Sequence, residues 1–399
     1  MILQIGSSRF SGRFSRDLSR KFCLLLFSLC SNFGHSHGLE SGLESGLESG
    51  IESGLESGLE DHGTLPSTAI SEEMEYRGEP AHAQDWGWVN RQIHLKDVQD
   101  IFKSKRIGLG EGVLVAHIDT GISLHPELHK ANIDFANAFN FIDNSSNVFH
   151  RFSKFQFPLH GHGTETLTLM ASPLGCADIF ESEACISGVA PKARYLPLLV
   201  SDSSIIGSGD RLAEAVDYAI EQGAGVINIS LGDIIKMPRL EEALKRAHQE
   251  GVIVIAAAGN GTGSIPVFPG AYPSVIAVGG TSMDLKPWEK SSVGPHVSWS
   301  APANGVPSAI VRKIDGDLQY YWGVSSGTSD AAAVSSGIAA LWLAYHGREK
   351  LLSKYGKESI VEEFRKLVMT QGVLTPQGWP KAGYGSGIIN AKKVIKAHL

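Results

Sequence analysis

The stretch Val113-Leu-Val-Ala-His-Ile-Asp-Thr-Gly121 decides how the chain reads. Val113–Ile118 is apolar at consecutive positions apart from one histidine, the pattern of a strand covered on both faces. It ends on a carboxylate and a glycine. Val226–Ile229 and Val252–Ile255 read the same way. Between and after them lie helical stretches. Asp210–Gln222 has Asp210 as a candidate cap, an apolar stripe at Leu212, Ala215, Val216 and Ala219, and Gly223 as its stop. Arg239–Glu250 is a second helix, stopped by Gly251. Thr328–Tyr345 is a third, apolar on most sides and therefore expected inside the protein. Strands alternating with helices imply an α/β fold, a parallel sheet with helices on both faces in three layers.

Residues 85–399 show no internal break and are expected to form one domain. The chain before them differs. Arg9, Arg13, Arg16, Arg20 and Lys21 precede the short apolar run Phe22–Leu29, so residues 1–30 read as an export signal or as a tail with a chance apolar cluster. Residues 31–84 hold the Leu39-Glu-Ser-Gly repeat, which recurs to Gly58. A glycine at every fourth position costs a helix about 1 kcal/mol per copy relative to alanine. The segment therefore reads as a flexible acidic linker.

The 399 residues carry a net charge of -7, and no basic patch suggests nucleic-acid binding. Of four cysteines, Cys23 and Cys30 lie in the signal-like segment. A lipid on Cys30 is the one route by which the sequence suggests a membrane anchor. Cys176 and Cys185 would remain as an even pair in an exported domain, to be joined as a disulfide or left as free thiols.

Three segments carry chemistry. Asp119 ends a buried strand, the edge at which open α/β sheets place ligands, although a lone aspartate there also caps turns. His160-Gly-His162-Gly-Thr164 sets glycines around His162, which leaves the imidazole approachable. Two histidines at i and i+2 also suit a metal, but no second ligand cluster accompanies them. Ser325-Ser-Gly-Thr-Ser329-Asp-Ala-Ala-Ala333 runs into the third helix. A serine there is a cap by default. As a nucleophile it would also bring its own N–H, one of the unpaired donors of a helix start. Together the three fit one machine: Ser329 attacks a carbonyl, His162 moves its proton, and Asp119 orients and stabilises the imidazolium.

These motifs resemble the subtilisin-like serine peptidases, in which the aspartate lies in D-T/S-G, the histidine in H-G-T and the serine in G-T-S. Gly188-Val-Ala-Pro-Lys-Ala193, Val226-Ile-Asn-Ile-Ser-Leu-Gly232, Ala257-Ala-Gly-Asn260, Tyr272–Gly279 and Tyr384–Asn390 resemble further family segments in the family's order. The resemblance covers roughly residues 86–394. It implies a subtilisin-like fold and a serine endopeptidase that works through an acyl-enzyme, with no cofactor required for the chemistry; the signal-like segment adds the expectation of a secreted or cell-surface location. It implies Asn260 and the Ser329 N–H as the oxyanion hole. It also implies that Gly207, Ser208, Gly209, Ser230, Leu231, Gly232 and Gly259 bind an extended protein or peptide substrate by strand addition. A structural calcium ion is a family habit, and Glu127 sits where the family often has a calcium-binding aspartate; an exposed loop glutamate is the alternative.

The chain departs from the family pattern in three places. Glu165-Thr-Leu-Thr-Leu169 follows the histidine where small residues are usual, so local packing must differ. The loop Gly261–Ala271 is short. Asp330 follows the nucleophile, beside the expected oxyanion. Either it turns away and pairs with backbone, or its pKa rises. The first pocket, with no acid in Ser230–Gly232 or Ala256–Asn260, is expected to favour an apolar residue, unless Asp233 recruits a basic one.

Overall fold

A computed structural model of the chain describes residues 87–152, 161–173, 186–206, 208–314 and 316–399. The signal-like segment, the repeat, Cys30, His160, Cys176, Cys185 and Gly207 all lie outside the described residues.

Two short helices, α1 (Trp88–Gln92) and α2 (Leu95–Lys105), precede the first strand, β1 (Leu114–Asp119). There follow β2 (Phe139–Asn140), α3 (His162–Ala171), β3 (Arg194–Leu199), α4 (Gly209–Glu221), β4 (Val226–Ile229), α5 (Pro238–Gln249), β5 (Ile253–Ala257), β6 (Ile276–Thr281) and β7 (Val297–Pro302). An antiparallel hairpin, β8 (Asn304–Ile314) and β9 (Asp317–Ser326), leads into the long helix α6 (Thr328–His346). The chain closes with α7 (Arg348–Tyr355), α8 (Lys357–Gln371), β10 (Val373–Leu374), β11 (Ile388–Ile389) and α9 (Ala391–Lys396).

Nine strands form one sheet in the order β10-β11-β7-β6-β5-β4-β1-β3-β2. Every pair in it is parallel except β10 with β11. From β1 the chain runs to β2 at the sheet edge, steps back to β3 beside β1, then crosses to β4 on the other side and winds outward through β5, β6 and β7. The carboxyl ends of β1 and β4 therefore meet at the point where strand order reverses, the place where a doubly wound sheet leaves a crevice.

Alternation along β1 assigns the two faces. Leu114, Ala116 and Ile118 pack with the apolar stripes of α4 and α5. Val115 faces the other way, into the larger core built on α3, α6 and α8. His117 and Asp119 share the parity of Val115, so both point to the α3–α6 side. The helix α6 is buried from Thr328 to Leu343, as its all-round apolar composition requires. Its small residues permit close approach: a β-carbon at Gly337 would stand 2.6 Å from that of Val189.

Two local expectations are revised. Ser208, not Asp210, caps α4, its hydroxyl accepting from the Arg211 N–H at 3.4 Å. Gly327, not a serine, is the cap residue of α6, which leaves the Ser329 side chain free of that task.

Candidate active site

Asp119 emerges from the end of β1 and meets His162, the first residue of α3. The Nδ1–H of His162 donates to Asp119 Oδ1 at 2.7 Å, and the Thr120 N–H donates to the same oxygen at 2.7 Å. Gly163 makes the meeting sterically feasible. A β-carbon there would lie 2.1 Å from the Gly121 carbonyl oxygen and 3.2 Å from Asp119 Cβ, so any side chain would drive α3 away from β1. Both charges are buried. Burial alone would raise the Asp119 pKa, but the His162 charge and hydrogen bond override it and hold the carboxyl down at about 2. Burial alone would lower that of His162, but the charge of Asp119 and its hydrogen bond, aided by Glu165 and Asp330, lift it to about 9.

Ser329 lies in the first turn of α6 and lines a cleft of about 430 Å³ together with His162, Glu165 and Asn260. Its hydroxyl donates to the Ser230 carbonyl at 3.1 Å. Asn260 is fixed by its own oxygen: Oδ1 accepts from the Thr328 N–H and from the Thr328 hydroxyl, each at 2.9 Å. Its Nδ2 is thereby turned elsewhere, and Gly327 shows where. A β-carbon on Gly327 would stand 3.5 Å from Asn260 Nδ2 and 3.6 Å from the Ser329 nitrogen. Two N–H donors thus share one small space, kept open by a glycine, beside a serine hydroxyl. That space suits an oxygen that gains negative charge.

The remaining residues singled out in the sequence divide. Ser230, Leu231 and Gly232 follow β4; the Ser230 hydroxyl donates to the Ser329 carbonyl at 3.1 Å. Gly232 pairs with the segment Ser204–Ile206, donating to the Ser204 carbonyl at 3.0 Å and accepting from the Ile206 N–H at 3.2 Å. Ser208 continues that segment with extended backbone, whereas Gly209 already opens α4. Val267 packs between Gly232 and Gly259; a β-carbon on either glycine would lie 2.5 Å from one of its methyls. Asp233 accepts at Oδ1 from the Ile235 N–H at 3.0 Å, which commits it to its own turn.

Glu127 is buried rather than exposed. Its carboxyl accepts from the Ser172 hydroxyl and, at 2.7 Å, from Trp322 Nε1, and burial raises its pKa. A carboxyl engaged by protein donors and shifted towards its neutral form does not fit a calcium ligand. Among the described residues there is no group of three or more His, Cys, Asp or Glu side chains able to hold a metal.

Asp330 is fully buried. Its Oδ2 accepts from the Ser325 hydroxyl at 2.7 Å, so its partner is a side chain and not backbone. Burial, then the adjacent Glu165 carboxylate, push its pKa well above the ordinary value. Glu165, three residues after His162, is raised in turn by its own burial. The rest of the run after His162 also solves its packing: the Thr166 hydroxyl donates back to the His162 carbonyl at 3.1 Å and the Thr168 hydroxyl to that of Glu165 at 2.7 Å.

Sequence reading missed three features. His117, within β1, is neutral through burial and bonds at Nε2 to the Gly163 carbonyl at 2.8 Å. Its Nδ1 accepts from Asn228 Nδ2 at 3.4 Å, Asn228 in turn donates to the Ser230 hydroxyl at 3.2 Å, and Ser336 donates to Asn228 Oδ1 at 2.9 Å. His150 bonds to the Thr120 carbonyl at 2.9 Å and to the Thr164 hydroxyl at 3.1 Å; burial lowers its pKa to about 4. The β8–β9 hairpin, which walls the cleft with Ile310, Arg312 and Val324, was also missed. Only this last left a sequence signal, the Asp315-Gly316 pair between two β-compatible runs.

The model of the subtilase family matches residues 110–385. Thermitase of Thermoactinomyces vulgaris is 32% identical over 243 residues, covering 61% of this chain and 78% of that protein. The major intracellular serine protease of Bacillus subtilis is 33% identical over 244 residues, covering 59% and 70% respectively. A thermophilic serine proteinase of a Bacillus species is 34% identical over 241 residues, covering 60% of this chain but only 54% of its own length. Among solved structures, a protease from Pseudoalteromonas arctica superposes with a TM-score of 0.61 at 22% identity, covering 79% of this chain and 97% of that one, a likeness of fold.

Proposed function

The chain belongs to the subtilase family of serine peptidases, and on that footing we propose that it is an endopeptidase in which Asp119, His162 and Ser329 hydrolyse peptide bonds through an acyl-enzyme. The observation that carries this reading is the cleft itself. An imidazole held by a buried carboxylate at 2.7 Å and a serine hydroxyl line the same cleft, beside two donors aimed into one space.

The Ser329 hydroxyl rotates from the Ser230 carbonyl and attacks the substrate carbonyl carbon. Its proton passes to His162 Nε2, and the imidazolium is stabilised by Asp119, which stays ionised. The former carbonyl oxygen gains charge between Asn260 Nδ2 and the Ser329 N–H. His162 then gives its proton to the leaving amine, and water repeats the sequence against the acyl-enzyme. The substrate lies as an extended strand against Ser208 and Ser230–Gly232, read through its backbone, and takes the place of Ser204–Ile206 at the Gly232 N–H and carbonyl. Val267 gives the first pocket an apolar wall, and Asp233 is occupied elsewhere, which favours an apolar side chain there over a basic one. The basic and apolar start of the chain and the Cys176–Cys185 pair extend the reading to an exported enzyme with one disulfide.

A fluorophosphonate probe followed by peptide mapping tests the core of this. Label on Ser329 is expected. An unlabelled Ser329 in a folded sample, or label on another serine, would overturn it.

A further inference from the structure

The cleft beside Ser329 is not the place where the acyl side of the substrate lies. His162, Asn260 and Ser329 line it, but none of Ser208, Ser230, Leu231 or Gly232 does. It is left for the part of the substrate that departs with the amine, to which His162 must deliver a proton. The β8–β9 hairpin supplies one wall of this leaving side. β8 is pressed against the start of α3. A β-carbon at Gly161, the residue before His162, would stand 3.0 Å from Val311 Cβ and 3.1 Å from the Val311 carbonyl oxygen. Arg312 is the next residue in that strand, and it lines the cleft. Alternation puts it on one face of the ribbon with Ile310 and Ile314, across from Tyr321 and Gln319. Its guanidinium lies over the Tyr321 ring, 5.6 Å from the centroid, and the Tyr321 hydroxyl donates to Gln319. Stacking occupies the flat face of a guanidinium and leaves its N–H edges for a planar anion.

We propose that Arg312 is a specificity-determining residue, binding the carboxylate of an aspartate or glutamate among the first three residues after the scissile bond. This rests on the endopeptidase reading above. Among the described residues no ion pair engages Arg312, neither with Glu165, which lines the cleft on the His162 side, nor with Asp317 at the start of β9. Lys313, exposed beside it, leaves two cations facing one carboxyl across the cleft. Ile310, Ile314 and Val324 line the same wall, and apolar neighbours strengthen a charge pair by thinning the water around it. The chain's own repeat has the matching pattern. From Leu39 to Asp61 every leucine or isoleucine is followed by a glutamate, and no lysine or arginine interrupts the run. An apolar residue before the cut and a carboxylate after it are what the two sides of the site would read.

Peptides patterned on the repeat test this. Ser-Gly-Leu is held before the cut, and Glu, Gln or Lys is placed in turn at each of the three positions after it. Product masses fix the bond that is cut, so each position is counted from the observed bond. kcat/KM is measured for the full chain and for Arg312→Ala, Arg312→Glu and Lys313→Ala. At one position or more the wild type should favour Glu over Gln by about threefold and over Lys by about tenfold, the size of a partly exposed ion pair. The preference should fade as salt is raised to about 1 M, where the screening length is about 3 Å. Arg312→Ala should bring the Glu-to-Gln ratio to about one, Arg312→Glu should invert the Glu-to-Lys ratio, and Lys313→Ala should keep most of the preference, since a stacked guanidinium is the better-placed partner. A ratio taken within one preparation does not depend on how much of it is folded. Equal rates on the three peptides at every position in the wild type, or an acid preference that survives Arg312→Ala, would overturn the proposal. If instead no peptide is cut and a fluorophosphonate leaves Ser329 unlabelled, the endopeptidase reading itself falls, and the role of Arg312 with it.

Discussion

Gly327→Ala isolates the oxyanion site from everything else. The glycine has extended backbone, φ -172° and ψ 151°, which alanine adopts without strain. The three atoms nearest the new methyl would be Asn260 Nδ2 at 3.5 Å, the Ser329 nitrogen at 3.6 Å and Ser329 Cβ at 3.7 Å, all ordinary contacts. Folding should therefore be unharmed. Loss of unfolded-chain freedom should even add about 0.4–1 kcal/mol of stability. Catalysis should suffer, because the methyl occupies the space in which an oxygen would bond both nitrogens at about 2.7–3.1 Å. Loss of one such donor costs about 2.7–4 kcal/mol, a figure that itself comes from a subtilisin, a member of the same family. With both donors obstructed and their effects overlapping, kcat/KM should fall at least about 100-fold, or about 2.7 kcal/mol in the barrier. Steady-state kinetics on a peptide substrate, paired with a thermal melt, reads both halves. A variant with unchanged Tm and a rate within tenfold of wild type would show that the oxygen does not go there.

Ser329→Ala should keep the fold and lose nearly all activity, retaining only the roughly 10³–10⁴-fold over water that binding and the oxyanion site supply; a rate above a few per cent of wild type would count against it. His162 must be neutral to accept a proton, and its pKa is raised to about 9, so kcat/KM should climb from neutral pH towards 9. The stability carried by that same shift runs the other way: it is complete below the ordinary 6.5 and is lost as pH rises through about 9, so the Tm of the inactive Ser329→Ala protein should fall across that window. A flat rate profile from pH 7 to 9 would contradict the first, and a Tm that rises there the second. Intact mass of the exported protein should increase by two hydrogens on reduction if Cys176 and Cys185 are joined, and an unchanged mass would leave them as thiols. On a peptide library, cleavage should follow apolar residues; a majority of cuts after lysine or arginine would mean that Asp233 serves the pocket after all.

Three central strands, β1, β4 and β5, and the helices α4, α5 and α6 were legible because their evidence is local; α8, which at 15 residues is longer than α4 or α5, was not read. Val226–Ile229 is found at its expected bounds, and α4 and α6 differ from expectation by a residue or so. The catalytic residues were legible for another reason. Their glycine neighbours are dictated by contacts as tight as that of Gly163 with Gly121, and so leave a readable trace. The partners of those residues were not legible. Nothing in the sequence says that the Ser325 hydroxyl bonds to the Asp330 carboxyl, or that His117 points under Asp119 rather than into apolar core. Glu127 misled because its place in the sequence suggests an exposed loop, whereas Trp322 of the hairpin covers it.

The polar seam through His117, Asn228, Ser230 and Ser336 has a further consequence. It ties β1, β4 and α6, and through the Gly163 carbonyl α3, in the middle of two apolar cores. Greasy surfaces slide over one another at little cost, whereas hydrogen bonds near 3 Å tolerate no slip. The seam therefore behaves like dowel pins in a jig. Three catalytic groups borne on three separate pieces of chain are machined to one setting, and a worn pin would show first as lost accuracy of assembly, well before the assembly came apart.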